Sequence, residues 1–218
     1  MSLPERGHTR LGASRPKGNV SFLEDDGHWN HMAVPAEACR VLRRRRRNDE
    51  LEVHDAGELS RAIEDATYVG AKNVVLRLVA RRDYSAKELR DKLKMHGFEA
   101  AAAQRVVREC EETHLIDDSR FADVFIRSKL SAGWGMARVE RELARRGVDI
   151  RTVEGWPYEY LDPEDELKRA LEVARRRHVS GSKAWQKLVR HLVGRGFGTD
   201  VAIEAARLAL KEEPERSW

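Results

Sequence analysis

The chain has 218 residues, 41% of them hydrophobic and 36% charged, which suits one or two ordinary domains with highly charged surfaces. It contains no apolar run long enough to span a membrane and no secretory signal pattern, so we expect a cytoplasmic protein. The 41 Lys and Arg residues nearly balance 37 Asp and Glu residues, so any argument for an anionic partner depends on where the cations lie.

The first 55 residues are predicted to form a flexible basic extension. Pro, Gly, Ser and Asn are scattered through residues 1–21 without an apolar period of 2 or 3.6. Residues 35–52 could form a helical turn or two, but they include five consecutive arginines at 43–47, which repel one another and are predicted to be solvated and mobile. This run is either an arm that contacts phosphates or a soluble tail with no set partner, and in both cases we expect it to add little core.

Helical patterns begin at Asp55. Asp55 and Glu58 have the spacing of a capping box, and apolar residues then follow at helical spacing. A further helix is predicted over residues 75–82. No stretch alternates convincingly with period 2, so the sequence predicts no sheet.

Three glycines, Gly97, Gly147 and Gly196, are 50 and 49 residues apart and mark an internal repeat. Apolar residues stand eight and four positions before each glycine and directly after it. They are Leu89, Leu93 and Phe98 in the first copy, Val139, Leu143 and Val148 in the second, and Leu188, Leu192 and Phe197 in the third. Positions eight and four before the glycine share one helix face, so each copy predicts a short amphipathic helix that ends at a left-handed glycine.

Apolar helices on either side of each glycine unit extend the repeat to three helices. The pattern is weaker after the second unit, where Gly155 and Pro157 interrupt it. Such repeats depend on their neighbours for a core, so the predicted fold class is all-α, with tandem three-helix repeats in an elongated, curved array and a disordered N-terminal tail. The predicted domains are the extension (1–55), the first repeat with its leading helix (56–116), the second repeat (117–160) and the third repeat (161–218).

One set of residues in the first two copies carries a further resemblance. It consists of Ala80, Arg81, Arg82, Ser85, Glu88, Leu89, Leu93, Gly97 and Phe98, then Asp117, Asp118, Phe121, Ala122, Gly133, Trp134, Gly135, Leu143 and Gly147. This pattern resembles the RecX family, regulators of the bacterial recombinase RecA. The resemblance is strong over residues 70–150, looser in the third copy, and absent from the first 55 residues. It implies a tandem three-helix-repeat protein that binds the RecA–DNA filament, inhibits strand exchange and the RecA ATPase, and is not itself an enzyme.

Cations recur on the second helix of each copy, away from the apolar stripe. They fall on the same side of the helix in the second and third copies and on the other side in the first. They either only solubilise the helices or form a long cationic surface that suits a phosphate backbone or an acidic protein groove, and the recurrence favours the surface. The residues assigned to this binding face are Arg81, Arg82, Lys87, Arg90, Lys94, Arg127, Arg138, Arg141, Arg145, Lys183, Lys187 and Arg190. The expected partners of a monomeric protein are the RecA filament and, more weakly, single- or double-stranded DNA.

Two aromatic residues, Tyr84 and Trp134, stand thirteen residues before their glycines. They either stack on bases or pack the first helix of a repeat against the second, and packing is the preferred interpretation.

Sites for metals, cofactors and catalysis are not predicted. Asp117 and Asp118 fit the cap of a helix that begins near Ser119 better than a metal or acid–base pair. His28, His31 and Cys39 lack a fourth zinc ligand, and we expect Cys39 and Cys110 to be reduced thiols. The sequence has no phosphate-binding loop, nucleophile elbow or zinc-protease motif, which favours a protein without enzymatic activity.

Two other classes of protein remain open. A three-helix DNA-binding protein that acts without RecA would bind duplex DNA tightly and with sequence preference. A helical-repeat scaffold that ignores nucleic acid would bind its partner with little dependence on salt.

Overall fold

The computed structural model describes residues 17–23, 27–162 and 165–212. The chain divides into two compact units, Met1–Asp117 and Asp118–Trp218. The elements of the first unit are β1 (Gly18–Leu23), β2 (Trp29–Val34), α1 (Ala36–Arg47), α2 (Ala56–Val79), α3 (Ala86–Met95) and α4 (Ala100–Glu112). Those of the second are α5 (Asp118–Ser131), α6 (Met136–Arg145), a 3-10 turn (Ile150–Thr152), α7 (Glu166–Arg175), α8 (Ala184–Arg195) and α9 (Thr199–Glu212).

The predicted helical repeat is confirmed, and the glycine frame explains why each copy folds in the same way. Gly97, Gly147 and Gly196 have φ values of +87°, +82° and +94° and end α3, α6 and α8. In each copy, the backbone N–H of the residue after the glycine donates to the carbonyl of the leucine four positions before the glycine. These bonds join Phe98 to Leu93, Val148 to Leu143 and Phe197 to Leu192, with N···O distances of 3.2, 3.0 and 3.2 Å. The bond folds the apolar residue after the glycine back onto its helix, and all of these residues are buried.

The leading helix is longer than predicted. α2 is a single helix of 24 residues rather than two helices, and its N-cap is Asp55, whose side chain accepts a hydrogen bond from the Glu58 N–H. Gly70, in the middle of α2, allows close packing without breaking the helix. A Cβ at this position would lie 3.1 Å from the backbone nitrogen of Ala38 on α1. A glycine in a helix interior weakens the helix by itself, but Gly70 lets α1 pack closely against α2.

The second repeat is shorter than the others, at the place where its sequence pattern is weaker. Its third helix is reduced to the 3-10 turn, which ends three residues before Gly155. The chain beyond the turn still adds to the core, because Val153 is buried and both Trp156 and Tyr160 pack against the same cluster as Leu143.

The prediction of a flexible extension is wrong for residues 17–23 and 27–55. β1 and β2 form an antiparallel hairpin, with Gly18 paired to Val34 and Leu23 paired to Trp29. The hairpin, α1 and the first half of α2 share a hydrophobic core that contains Val20, Val34, Cys39, Leu42 and Ile63. Residues 1–16 and 24–26 of the predicted tail lie outside the described residues. Sequence periodicity missed the hairpin because each strand has only six residues. Such short strands become stable only when helices cover one face.

The arginine run at 43–47 is also not the mobile segment that was predicted. It forms the C-terminal end of α1, a helix whose other face buries Ala38, Cys39, Val41 and Leu42. Within the described ranges, no helix is both long and apolar enough to cross a membrane.

Candidate nucleic-acid interface

Five of the twelve cations predicted to bind lie in the first unit. Arg81 and Arg82 follow α2, and Lys87, Arg90 and Lys94 lie on α3. Arg90 is partly buried and the other four are exposed.

The face of α3 that matches the basic faces of the later repeats is acidic. Glu88 and Asp91 stand nine and six residues before Gly97, where α6 carries Arg138 and Arg141. Glu88 completes the capping box with Ser85, and Asp91 pairs with Lys87 at 3.3 Å. Equivalent helix positions therefore carry a basic face only in the second and third repeats.

Two of the predicted cations in the second repeat are held by side-chain contacts. Arg127 pairs with Asp123 at 2.9 Å, and its guanidinium lies 4.9 Å from the ring centre of Tyr160. Arg145 pairs with Glu142 at 2.9 Å, and this bond contributes most to lowering the pKa of the Glu142 carboxyl. Arg141, in contrast, is exposed and makes no side-chain hydrogen bond or ion pair with the described residues.

Arg138 belongs to a junction between the second and third repeats. Its guanidinium stacks on Trp134 at 3.8 Å from the ring centre, and Nη1 donates to the Gly194 carbonyl at 3.2 Å. Because Arg138 joins α6 to the end of α8, it is less available to a ligand than the helical spacing suggested.

Tyr84 and Trp134 both make packing contacts, which was the preferred of the two interpretations of these aromatic residues. Tyr84 packs against the core of the first repeat, and Arg82 covers its ring at 3.6 Å. Trp134 contacts Phe125 edge to face, with 6.2 Å between ring centres, and Arg138 lies on its face. A guanidinium group therefore already covers one face of each ring.

Glycines bring the two repeats of the second unit into backbone contact. Gly135 is the N-cap of α6, and its N–H donates to the Arg195 carbonyl at 2.9 Å. A Cβ on Gly135 would lie 2.5 Å from the Phe197 nitrogen and closer still to the Gly196 carbonyl. Gly135 has an ordinary φ of −79°, so glycine is needed here for close approach and not for backbone conformation.

Arg169 on α7 fastens the same junction. Its Nη2 donates to the carbonyls of Leu130 and Trp134 at 3.2 and 2.8 Å, and burial lowers the pKa of the guanidinium. Glu166, one turn earlier, accepts a hydrogen bond from the Met136 N–H at 3.0 Å and so caps α6 from the next repeat. These contacts fix α6 relative to α7 and α8.

Sequence reasoning assigned only part of the longest segment that lacks acidic residues. Residues 173–199 contain seven Lys and Arg and two His but no Asp or Glu, and that absence of acids was the available signal. Of the predicted cations, Lys187 and Arg190 lie exposed on α8, whereas Lys183 is the N-cap residue before it. The cations missed are Arg175, Arg176, Arg177 and Arg195.

The cations of this segment also act on a histidine. His191 is partly buried on α8, and its pKa is lowered first by burial and then by the charges of Arg177 and Arg195. Arg177 follows α7 and Arg195 ends α8, so the effect shows that positive charges from both places act on this imidazole. A phosphate here would meet a positive potential, although Glu172, just before the segment, lies 4.0 Å from Arg176 and offsets part of its charge. Trp185 adds an indole ring that is 41% exposed near the start of α8.

The residues considered for metal binding have other contacts or positions. Asp117 directly precedes α5 and Asp118 lies in its first turn, as expected of residues that favour a helix N-terminus. Cys39 is buried in the core of the first unit, while His31 is exposed on β2 and hydrogen bonded to Ser21 at 2.8 Å. Both cysteines are free and buried. In the described part of the chain, no group of three His, Cys, Asp or Glu side chains is placed to hold a metal.

Three family models match the chain in tandem. They describe the first, second and third three-helix domains of RecX and match residues 71–110, 117–154 and 164–205. The matches begin within α2, so β1, β2 and α1 lie outside them.

Relatives and solved structures agree with these matches. The regulatory protein RecX of Halorhodospira halophila is 34% identical over 168 residues, which cover 74% of this chain and 96% of that protein. The RecX of Halalkalibacterium halodurans is 31% identical over 170 residues, which cover 75% of this chain but only 64% of that protein. A crystal structure of regulatory protein RecX superimposes with a TM-score of 0.56 at 18% identity, covering 88% of this chain and 95% of that one. The crystal structure of RecX from Lactobacillus salivarius gives a TM-score of 0.51 at 19% identity, covering 65% of this chain and 96% of that one.

Proposed function

Because this chain belongs to the RecX family, we propose that it binds the RecA–DNA filament and inhibits strand exchange and ATP hydrolysis by RecA. In this role the protein acts through binding and catalyses no reaction of its own. The observation that carries the proposal within the molecule is the acid-free segment 173–199, together with the exposed Arg141 on α6.

This segment suits an anionic partner for two physical reasons. Lys187 and Arg190 are exposed on α8, and Arg176, Arg177 and Lys183 are exposed on the connection that leads to it, so a phosphate can reach them without any rearrangement of the core. Arg195 is partly buried and donates to the Ala132 carbonyl at 2.9 Å. Hydrogen bonds from Gly135, Arg138 and Arg169 also hold α6, α7 and α8 in one arrangement. Binding therefore does not have to order these helices, which reduces its entropic cost.

The proposal is tested with the ATPase of RecA on single-stranded DNA. The parent protein should lower the rate of ATP hydrolysis. A variant with Arg141→Glu, Lys187→Glu and Arg190→Glu reverses three exposed charges, so it should fold. It should need roughly tenfold more protein for the same inhibition, since a loss of about 1.4 kcal/mol in binding is tenfold. The difference should be largest at low salt, where screening is weakest.

A matched control reverses three exposed charges of the first unit, in the variant Arg61→Glu, Arg105→Glu and Arg108→Glu. It should inhibit nearly as well as the parent. If the control loses inhibition while the first variant keeps it, the assigned binding face is wrong. If the parent changes neither the ATPase nor the filament, the proposed regulation of RecA is wrong.

A DNA-binding protein that acts without RecA is the second candidate, because the same acid-free segment would also attract free DNA. Strong binding to duplex DNA without RecA, together with no effect on the RecA ATPase, would favour this candidate.

A further inference from the structure

The exposed side of α1 carries a ridge of arginines. Arg40, Arg43, Arg44 and Arg47 follow one another at spacings of three, one and three residues, which places them on one helix face. All four are exposed, and no acidic residue stands between Glu37 and Asp49. The ridge extends about 10.5 Å along the helix axis at 1.5 Å per residue. This length corresponds to about three nucleotides of one strand of duplex DNA at 3.4 Å per nucleotide.

The body of the first unit holds this ridge in place. The opposite face of α1 is buried through Ala38 and Leu42, both 0% exposed, and Arg45 on that side pairs with Asp65 of α2 at 3.2 Å. At the start of the helix, the buried carboxylate of Glu37 pairs with Arg40 at 2.6 Å and with Arg77 of α2 at 2.8 Å. The arginines are therefore displayed from a packed helix and do not belong to a free arm.

Helix stability alone does not account for this arrangement. Arginines in the last turn of a helix are favourable because they face the negative end of its dipole. Arg40 and Arg43, however, lie before the last turn, which begins at Arg44. Like charges three and four residues apart cost about 0.2–0.5 kcal/mol per pair. The ridge contains four such pairs. Two of them include Arg40, whose charge Glu37 partly balances, so the repulsion that opposes folding and is relieved when an anion binds comes mainly from Arg43, Arg44 and Arg47.

We propose that the ridge formed by Arg40, Arg43, Arg44 and Arg47 is a second nucleic-acid contact, which binds the phosphodiester backbone without regard to base sequence. It lies in the first unit, outside the three matched RecX domains, and is separate from the acid-free segment of the third repeat. Arg43, Arg44 and Arg47 suit consecutive phosphates, because each guanidinium can donate two hydrogen bonds to one phosphate group. Arg40 continues the ridge but is paired with Glu37.

The test is the salt dependence of binding to a fluorescent single strand of mixed sequence and to the corresponding duplex, in the absence of any recombinase. The variant Arg43→Gln, Arg44→Gln and Arg47→Gln removes three charges and keeps Arg40, which pairs with Glu37. The slope of log K against log salt is negative, and each lost phosphate contact makes it shallower by about 0.9 for duplex and about 0.7 for single strands. Raising the salt from about 50 to about 200 mM weakens the binding of both proteins. The factor by which binding weakens should be about 20- to 40-fold smaller for the variant than for the parent.

The control variant Arg61→Gln, Arg105→Gln and Arg108→Gln removes the same charge from α2 and α4 and should keep the slope of the parent. Circular dichroism checks that both variants are folded. The proposal is wrong if the ridge variant has the same slope as the parent. It is also wrong if the control loses as much slope as the ridge variant, because net charge would then explain the binding. Because no RecA is present, these outcomes do not depend on the proposed regulation of the recombinase.

Discussion

For Gly135→Ser, the local sequence and the tertiary structure predict opposite changes in the free energy of unfolding. Gly135 is the N-cap of α6, and the matching position in the first repeat is Ser85, whose side chain caps α3. Serine is the better N-cap, and exchanging it for glycine usually costs only a few tenths of a kcal/mol. Local reasoning therefore predicts that the serine variant is slightly more stable than the parent.

The structure predicts a change of the opposite sign. The new Cβ would lie 2.5 Å from the Phe197 nitrogen, about 1 Å short of ordinary van der Waals contact, so the two backbones must separate. Such overpacking costs about 1–3 kcal/mol. The separation also weakens the hydrogen bond from Gly135 to the Arg195 carbonyl, which contributes about 1 kcal/mol. The expected loss in the free energy of unfolding is about 2–4 kcal/mol.

The assay is equilibrium unfolding in urea, monitored by circular dichroism and tryptophan fluorescence. Gly194→Ala is the matched control, because Gly194 lies at the same junction, near the end of α8, but a Cβ there would meet nothing within 4 Å. The control should be unchanged or more stable by up to about 1 kcal/mol, since alanine favours a helix. A Gly135→Ser protein as stable as the parent would refute the inference that backbone contact holds the second and third repeats together.

Three further predictions follow from the cores and from His191. Leu143→Ala, at a fully buried position of the second repeat, should lower the free energy of unfolding by about 2–5 kcal/mol, and a urea midpoint like that of the parent would contradict the repeat frame. Leu42→Ala should also cost about 2–5 kcal/mol because α1 is packed, whereas a flexible extension would leave the unfolding curve unchanged. Because the pKa of His191 is lowered in the folded protein, its imidazole binds a proton at a higher pH in the unfolded chain than in the folded one. Acidification below the unfolded pKa of about 6.5 therefore destabilises the fold, until the folded pKa is passed. His191→Gln should reduce this loss, and parallel stability curves for the two proteins between about pH 7 and pH 5 would rule out the contribution of His191.

The sequence was sufficient for the features that depend on neighbours along the chain. The apolar spacing before Gly97, Gly147 and Gly196 predicted three amphipathic helices, because residues four apart share a helix face. The glycines predicted their left-handed ends, because only glycine adopts positive φ without strain. The short third helix of the second repeat could likewise be anticipated from Gly155 and Pro157.

The binding face was only partly accessible from the sequence. Helical spacing placed Arg138 and Arg141 on the same face, yet Arg138 contacts Trp134 and the Gly194 carbonyl while Arg141 is exposed. Spacing shows which side of a helix a residue occupies, but the elements packed on that side decide whether its charge can reach a ligand.

By itself, then, the sequence determined the helical repeat, because helix periodicity and glycine caps are properties of a few consecutive residues. Tertiary structure decided that α1 and the hairpin are ordered, since their stability comes from the core that they share with α2. It also decided that Gly135 serves close packing, because its neighbours Gly196 and Phe197 lie some sixty residues away along the chain. Contacts between residues so far apart depend on the path of the whole backbone, and no local pattern of side chains contains that information.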